Sequence, residues 1–401
     1  MLSVAEAQAR VTQDLPVTGQ EWVPLNAALG RVLARDIEAR RDQPPAAVSA
    51  MDGFAVRADD CATGQTLDCI AEVPAGQLPP SPIGAGQAMR VFTGALLPAG
   101  TDAILIQENA AFDGRTVTVN EPPKAGQFIR RRGLDFSMGD IGLRASTKLD
   151  PRAIGLAAAF GHAVLPVRQR PRVGLLATGD ELTRPGEPGT AASIFSSNTP
   201  ALMAMITAWG GEAVELGIAK DTAESLLEHL TGAGNFDILV TSGGASVGDY
   251  DLIKPVLGKA GLSLDFWKIA MRPGKPLIFG TYNDAKFLGL PGNPVSASVC
   301  AIMFLRPMIR TFLGLPATMV IRTGRLGRAL PANDQRQDYL RAAICDDGNG
   351  LVTVNPAPKQ DSSMFNTFAQ AQALAIRPPH DPAKDVDESI DFIMLEDVLQ
   401  S

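Results

Sequence analysis

Two glycine-rich turns that follow apolar runs carry the residues best suited to chemistry. The first is Thr-Gly-Asp-Glu at 178–181, after the apolar run 173–177, and the second is Ser-Gly-Gly-Ala-Ser at 242–246, with Asp251 shortly after it. Glycine lets backbone N–H groups approach an anion at the end of a buried parallel strand. Carboxylates beside such an anion are suited to Mg²⁺. The two turns therefore predict a phosphate-bearing ligand that is handled with Mg²⁺.

Two further loops at predicted strand ends add cationic and turn residues. Arg-Pro-Gly-Lys-Pro at 272–276 supplies an arginine and a lysine, and Pro-Gly-Asn-Pro at 291–294 follows the next predicted strand. Arginine suits bidentate recognition of oxyanions. Each loop alone also fits a plain turn or a helix N-terminus. The prediction of one shared site depends on the four loops occurring together.

The elements that must position these loops alternate between strand and helix. Predicted strands lie at 173–177, 213–218, 238–241, 264–270, 276–281 and 287–290, and predicted helices lie at 197–210, 223–230, 251–259 and 294–312. Such alternation predicts a three-layer α/β domain with a mainly parallel sheet. Ligands of such sheets bind outside the carboxyl ends of the strands, where the four loops lie.

The flanking segments have other patterns. Short β-like runs separated by proline and glycine predict an inserted β domain, helical patterns at 3–13, 25–34 and 150–168 predict a helical unit, and β-like runs after 315 predict a barrel. The predicted domains are a helical linker domain (1–40 plus 136–169), an inserted β domain (41–135), the α/β domain (170–315) and a C-terminal β-barrel domain (316–401).

Composition limits the possible function classes. The chain has 401 residues, 45% of them hydrophobic, and a net charge of −7, so we expect neither nucleic acid nor an anionic membrane surface as a partner. The four cysteines form no Cys-x-x-Cys pair, which argues against a structural zinc site. No signal pattern is present, and the apolar stretch 153–167 is too short to span a bilayer. We expect a cytoplasmic protein.

Other motifs give weaker signals. Ser242 and Ser246 have no nearby histidine or lysine pattern, so serine hydrolysis is rejected. Arg-Arg-Arg-Gly-Leu-Asp at 130–135 is the densest basic run, and it fits a contribution to binding a small anion better than a nucleic-acid patch. By their chemistry alone, the turns at 49–56 and 93–98 are interpreted as structural.

Taken together, the motifs resemble the molybdopterin molybdotransferase (molybdenum insertase) family, which is related to the gephyrin C-terminal domain. The resemblance runs from the N-terminal helix to about residue 315 and is weaker beyond. The matching motifs are Ser-Ala-Met-Asp-Gly-Phe-Ala-Val (49–56), Thr-Gly-Ala (93–95), Ile-Arg-Arg-Arg-Gly (129–133), Thr-Gly-Asp-Glu-Leu (178–182), Ser-Gly-Gly-Ala-Ser-Val-Gly (242–248), Pro-Gly-Lys-Pro (273–276) and Gly-Leu-Pro-Gly-Asn-Pro-Val-Ser (289–296).

The resemblance implies an elongated, four-domain homodimer whose α/β domain binds a pterin. Enzymes of the family take adenylated molybdopterin, insert molybdate at its dithiolene and release AMP, with a divalent cation that we assign as Mg²⁺. The active cleft lies between subunits, so the C-terminal β domain could contribute across the dimer. The adenylyltransferase and the molybdoenzyme apoproteins are candidate partners, and no nucleic acid or membrane is expected.

The resemblance also assigns site residues. The catalytic candidates are Asp52, Glu181, Asp221 and Asp251. The substrate-binding candidates are Thr93, Arg130, Asp135, Gly243, Gly244, Ser246, Arg272, Lys275, Pro291 and Pro294. The metal-binding candidates are Glu181 and Asp251. Three departures from the family pattern are Arg272 where lysine is frequent, Leu134 where glutamate is common, and Phe195-Ser196 where a Tyr-Asp pair is frequent.

These residues predict a mechanism in which the glycine loops and Lys275 hold the pterin and its phosphates. Mg²⁺ held through Glu181 and Asp251 polarises the pyrophosphate bond, while Arg130 and Arg272 bind molybdate. Two alternatives remain open at this stage. One is the molybdopterin adenylyltransferase reaction that precedes insertion, which the additional β domains disfavour. The other is a non-enzymatic, gephyrin-like scaffold, which the retained acidic positions disfavour.

Overall fold

The computed structural model describes residues 1–231, 235–244, 253–346 and 352–399. Contacts divide the chain into two compact units, Met1–Glu21 with Arg168–Ser401, and Trp22–Val167. The domains predicted from the sequence group residues 1–40 with 136–169, whereas the contacts group Met1–Glu21 with Arg168–Ser401. The four predicted domain boundaries stay a prediction.

Helix α1 (Val4–Thr12) begins where the sequence predicts. Ser3 caps it, since its Oγ accepts from the Glu6 N–H at 3.2 Å and the Glu6 carboxylate accepts from the Ser3 N–H at 2.8 Å. The buried face is formed by Val4, Ala7 and Val11. Gln8 Nε2 donates to the carbonyl of Met303 at 3.0 Å, so α1 contacts another segment of the first unit.

The second unit, Trp22–Val167, is mostly β structure. A sheet in the order β7-β4-β6-β5-β9-β8 agrees with the predicted inserted β domain. From the N-terminal connection onward the elements are β1 (Gln20–Pro24), β2 (Ile37–Glu38), β3 (Val48–Ser49), β4 (Gly53–Val56), β5 (Thr66–Val73), β6 (Gln87–Val91), β7 (Ala103–Ile106), β8 (Ala110–Phe112), β9 (Thr116–Val119), β10 (Ile129–Arg130), β11 (Ile141–Leu143), α2 (Pro151–Ala159) and β12 (Val164–Arg168).

The predicted helix at 25–34 is wrong. A 3-10 turn covers only Leu25–Ala27, and no side chain caps it. The chain then leaves the turn through Gly30, at φ +73°, and the Leu33 N–H donates to the carbonyl of Thr147 at 3.0 Å. Pairing with distant backbone overrides the local helix preference. The predicted helix from 150 is correct at its start, where Pro151 follows the Asp150 cap, but it ends at Ala159.

The α/β domain has the predicted mainly parallel sheet, in the order β16-β13-β17-β21-β20-β18. Strands β16, β13, β17 and β21 are parallel to their neighbours in this order, and β20 alone runs in the opposite direction, antiparallel to both β21 and β18. Helix α3 packs against α6 and α4 packs against α5, so helices cover both faces. The elements are β13 (Arg172–Thr178), β14 (Leu182–Thr183), β15 (Ile194–Phe195), α3 (Asn198–Ala208), β16 (Glu212–Ala219), α4 (Ala223–Thr231), β17 (Ile238–Ser242), α5 (Ile253–Lys259), β18 (Leu262–Lys268), β19 (Met271–Arg272), β20 (Pro276–Tyr282) and β21 (Ala285–Leu290).

A long apolar helix follows β21. It consists of α6 (Pro294–Cys300), a π-helical segment (Ala301–Leu305) and α7 (Arg306–Phe312). By length and composition this helix could cross a membrane, but 89% of its apolar window is buried within the protein. Such burial is typical of the core helix of a folded domain.

The C-terminal region forms the predicted barrel. Five strands close because β23 pairs with both β24 and β25. The elements are β22 (Arg322–Leu326), β23 (Gln337–Asp346), β24 (Val352–Pro356), α8 (Phe365–Ala369), β25 (Ala373–Arg377), β26 (Ser389–Met394) and α9 (Leu395–Leu399). Strand β19 adds to this sheet, with Arg272 opposite Asp338. The loop 272–276 is therefore held by the barrel as well as by the α/β domain.

Candidate functional site

Three glycine turns converge at one edge of the parallel sheet. Strands β13, β17 and β21 are neighbours, and Gly179, Gly243 and Gly292 follow their carboxyl ends. Gly243 has φ +99°, and a Cβ there would lie 2.4 Å from the carbonyl oxygen of Thr178. A Cβ on Gly292 would lie 3.7 Å from the Cα of Gly243. The close approach of these turns therefore requires glycine at 243.

The turns open into a cavity of about 990 Å³. Eight of the predicted site residues line it: Glu181, Asp221, Gly243, Gly244, Arg272, Lys275, Pro291 and Pro294. The predicted convergence of four loops in one crevice is thus present in the geometry. Ser246 and Asp251 lie outside the described residues.

Lys275 and Arg272 differ in whether their side chains form ion pairs with carboxylates of the protein. The Lys275 side chain is exposed in the cavity and forms no ion pair with any residue in the described part of the chain. The Arg272 guanidinium instead contacts the carboxylate of Asp338, the side-chain oxygen of Asn333 at 3.0 Å and Asp334 at 3.3 Å. Lys275 is the cation better placed to meet an anionic ligand.

Asp338 explains why Arg272 is held so firmly. Its side chain is 4% exposed, and burial raises its pKa although the neighbouring Arg272 opposes this. A buried carboxylate is costly unless it is paired. The pair also fixes the start of the loop that carries Lys275.

Three carboxylates lie at the acidic part of the site. Glu181 and Asp221 line the cavity, and Asp180 accepts from the Asp221 N–H at 3.1 Å. Burial, with added repulsion from Asp180 and Glu181, raises the pKa of Asp221. Mutual repulsion of this kind is relieved by a bound cation. Among the described residues, no group of three or more His, Cys, Asp or Glu side chains is arranged to hold a metal ion.

Polar groups form the floor of the cavity. Asn198, at the start of α3, donates through Nδ2 to Ser242 Oγ at 2.9 Å and to the carbonyl of Gly292 at 2.8 Å. The Thr178 hydroxyl is buried and has no hydrogen-bond partner in the described structure.

Residues of the C-terminal region complete the cavity, and sequence reasoning missed them. They are Arg336, Gln360, Asp361, Ser362, Ser363 and Phe365. Asp361 accepts from the Ser363 N–H at 2.8 Å and from its hydroxyl at 2.7 Å, and Asn293 donates to Ser362 at 2.8 Å. The cluster of polar residues after β24 was an available signal. These residues come from the same chain as the glycine turns, and a further contribution from the barrel across a dimer stays a prediction.

Asp52 and Thr93 are brought together in the second unit. The backbone N–H and the hydroxyl of Thr93 donate to Asp52 Oδ1 at 2.7 and 2.9 Å. These hydrogen bonds lower the pKa of Asp52, with a smaller contribution from Arg90. Asp52 also lines a cavity of about 120 Å³ with Arg90, whose guanidinium lies 5.3 Å from the ring of Phe92. Asp52 is therefore held as a carboxylate in a fixed position.

Replacing Thr93 with valine is expected to raise the pKa of Asp52 part of the way toward that of an ordinary aspartate. The hydroxyl donor is lost, while the stronger backbone donor remains. A ¹³C NMR titration of the Asp52 carboxyl measures this change. The matched control is Thr116→Val, which removes the equivalent hydroxyl from Asp113 and should leave Asp52 unchanged. An Asp52 pKa that does not move in Thr93→Val would contradict this assignment.

Arg130 and Asp135 also lie in the second unit. Both side chains are exposed, with Arg130 on β10 opposite Val48 of β3 and the Asp135 N–H donating to the carbonyl of Gln43 at 2.9 Å. Within the same basic run, Arg132 pairs with Asp42. Their roles in substrate binding stay predictions.

Three family models match the chain in order. The MoeA N-terminal region (domain I and II) matches residues 2–161, the probable molybdopterin binding domain matches residues 174–311, and the MoeA C-terminal region (domain IV) matches residues 323–395. Together they cover the inserted β domain, the α/β domain with most of its cavity, and the barrel.

Individual proteins match over nearly the whole chain. A molybdopterin molybdenumtransferase from Haemophilus influenzae is 34% identical over 386 residues, which are 94% of this chain and 94% of that protein. One from a Nostoc species is 36% identical over 374 residues, 89% of this chain and 85% of that protein. The crystal structure of a molybdopterin biosynthesis MoeA protein from Pyrococcus horikoshii has a TM-score of 0.87 at 28% identity, covering 98% of this chain and 99% of that one.

Proposed function

Because the chain belongs to the molybdopterin molybdenumtransferase family, enzymes of molybdenum cofactor biosynthesis, we propose that it transfers molybdate to the dithiolene of adenylated molybdopterin with release of AMP. The observation that carries this proposal is the single cavity in which glycine turns, a free lysine and two carboxylates meet. A cavity of about 990 Å³ is large enough for a nucleotide-sized ligand.

The diphosphate of the substrate is proposed to bind between the glycine turns and Lys275. The backbone at 243–244 can approach phosphate oxygens closely, because no Cβ intervenes. Lys275 supplies positive charge that no described carboxylate neutralises. Arg272 and Arg336 offer additional N–H donors to an oxyanion, although Asp338 and Asp334 share their charge. Molybdate binding by Arg130 stays a prediction.

Glu181 and Asp221 fit the requirements of Mg²⁺. Mg²⁺ is commonly held by one or two carboxylates together with substrate phosphates, and keeps several waters. Burial, with an added contribution from the negative charges of Asp180 and Glu181, raises the pKa of Asp221, and a bound cation would favour its ionised form. Asp251, which the sequence analysis paired with Glu181 as the metal-binding candidates, lies outside the described residues. A bound Mg²⁺ would supply Lewis-acid polarisation of the pyrophosphate.

The overall chemistry involves no redox change. Two Mo–S bonds form as the two dithiolene thiols lose their protons and one oxygen of molybdate takes up both protons and leaves as water. One water molecule adds across the pyrophosphate bond, which yields AMP and the phosphate ester of the pterin. The residues of this chain bind and orient the two anions, so that ligation and bond cleavage occur in one site. We also propose the homodimer and the cytoplasmic location that the family resemblance implies, which light scattering and cell fractionation would measure.

The test is an AMP-release assay with purified protein, adenylated molybdopterin, Mg²⁺ and molybdate. We expect AMP release that requires molybdate and is lost in Glu181→Gln. AMP release without molybdate, or release unaffected by Glu181→Gln, would count against the proposal. A parallel reaction with ATP and non-adenylated molybdopterin distinguishes molybdate insertion from the adenylyltransferase alternative. Consumption of ATP in that reaction would favour the adenylyltransferase. Binding of receptor-type peptides without binding of the pterin would favour the scaffold alternative.

A further inference from the structure

Phe195 is an exposed aromatic side chain on the wall of the cavity. It is 59% exposed, and its neighbour Ile194 is 58% exposed. Of the large apolar side chains that are exposed in the described part of the chain, these two line the cavity of the glycine turns. Leaving a phenylalanine ring in water has a free-energy cost, which burial against another flat apolar surface recovers.

The backbone around Phe195 is held in place. Strand β15 pairs with β14, so that Phe195 lies opposite Thr183. The Ile194 N–H donates to the carbonyl of Glu181 at 2.8 Å, and the Ser196 N–H donates to the carbonyl of Thr183 at 2.9 Å. The ring is therefore displayed from a fixed strand that is continuous with the Glu181 turn.

The residue after Phe195, Ser196, is buried and holds the end of strand β15 in place. Ser196 is 4% exposed, and its hydroxyl lies 2.9 Å from that of Thr199, which is also buried. The Ser196 hydroxyl is neutral and already hydrogen-bonded, so it offers no charge to the ligand. Recognition at this point of the wall falls to the aromatic ring rather than to its polar neighbour.

We propose that Phe195 is a specificity-determining residue that stacks on a planar heterocycle of the substrate. On the basis of the proposed function, the ligand carries two such rings, a pterin and an adenine, joined through the diphosphate. Stacking of a heterocyclic base on an aromatic side chain is worth about 1–3 kcal/mol by alanine substitution, which corresponds to about 5- to 150-fold in affinity. A Tyr at this position would keep the ring, whereas a Leu would keep only apolar bulk.

The test measures the binding of AMP and of free pterin separately by calorimetry. We expect Phe195→Ala and Phe195→Leu to weaken one of the two ligands by about tenfold, and Phe195→Tyr to restore its affinity. The ligand that is weakened identifies the ring that stacks. In Phe195→Trp, the same ligand should quench the new indole fluorescence. The control is Leu264→Ala, which removes an exposed apolar side chain on β18 that does not line the cavity.

Two results would overturn the proposal. One is unchanged affinity for both AMP and pterin in Phe195→Ala, with no quenching in Phe195→Trp. The other is dissociation of an oligomer in Phe195→Ala at unchanged ligand affinity, which would make the ring an interface residue. Because binding is measured without molybdate or turnover, a failure of molybdate-dependent AMP release in the unmodified protein would be distinguishable from either result.

Discussion

Replacing Lys275 with methionine is expected to lower kcat/KM for adenylated molybdopterin by about 100-fold or more. Methionine keeps much of the length and apolar character of the stem but removes the charge. Lys275 lines the cavity without a described ion-pair partner, so its charge is available to the substrate. Steady-state AMP release at varied substrate concentration measures the effect, and calorimetry with AMP measures the binding part.

The matched control is Lys259→Met, on the exposed end of α5 and away from the cavity. This variant should behave like the unmodified protein. Lys275→Arg should retain part of the activity, because the charge remains but the donor geometry changes. An unchanged kcat/KM in Lys275→Met would show that the phosphates of the substrate are held elsewhere.

Replacing Asp221 with asparagine is expected to lower activity and raise stability. Loss of an outer-shell partner already costs about 10- to 100-fold in metal affinity or activity. Loss of a residue that is proposed to hold the metal directly should lower metal affinity or activity by at least the same factor. AMP release as a function of Mg²⁺ concentration measures this loss, and we expect the Mg²⁺ requirement to shift to higher concentration.

The gain in stability follows from the direction of the pKa shift. Burial and the negative charges of Asp180 and Glu181 raise the pKa of Asp221, so the folded protein holds this proton more tightly than the unfolded chain does. Ionisation of Asp221 therefore destabilises the fold as pH rises through the interval between the ordinary and the raised pKa. Above that interval the penalty is complete, and below it the penalty is absent.

Thermal melting at two pH values tests this point. Without Mg²⁺, Asp221→Asn should have the higher Tm at pH 7, and the difference should disappear at a pH below the ordinary aspartate value, about 3.9. Adding Mg²⁺ should raise the Tm of the unmodified protein more than that of the variant. A lower Tm for Asp221→Asn at pH 7 would contradict the crowded-carboxylate interpretation.

The parts of the site that sequence could predict are those fixed by local rules. Glycine after an apolar strand marks a close backbone approach, and the turns at Gly179 and Gly243 meet as expected. Alternating strand and helix patterns fix a parallel sheet, which brings the carboxyl ends of β13, β17 and β21 to one edge. These inferences need no knowledge of distant contacts.

The parts that sequence could not predict depend on long-range packing. Strand β19 pairs with the barrel strand β23, and this pairing brings Arg336 and the residues 360–363 to the cavity. The same pairing ties Arg272 to Asp338, so a residue predicted to bind molybdate shares its charge with a buried carboxylate. The helix predicted at 25–34 failed for a related reason, since backbone pairing of Leu33 with Thr147 replaced it.

A crystal structure of the protein with AMP, Mg²⁺ and molybdate tests the central claim most directly. We expect the AMP phosphate within hydrogen-bonding distance of Lys275 and the backbone N–H groups at 243–244, inside the cavity of about 990 Å³. We expect the metal beside Glu181 and Asp221. The claim that these loops form one diphosphate site would be contradicted if AMP bound at another surface and the space between Lys275 and the glycine turns held only solvent.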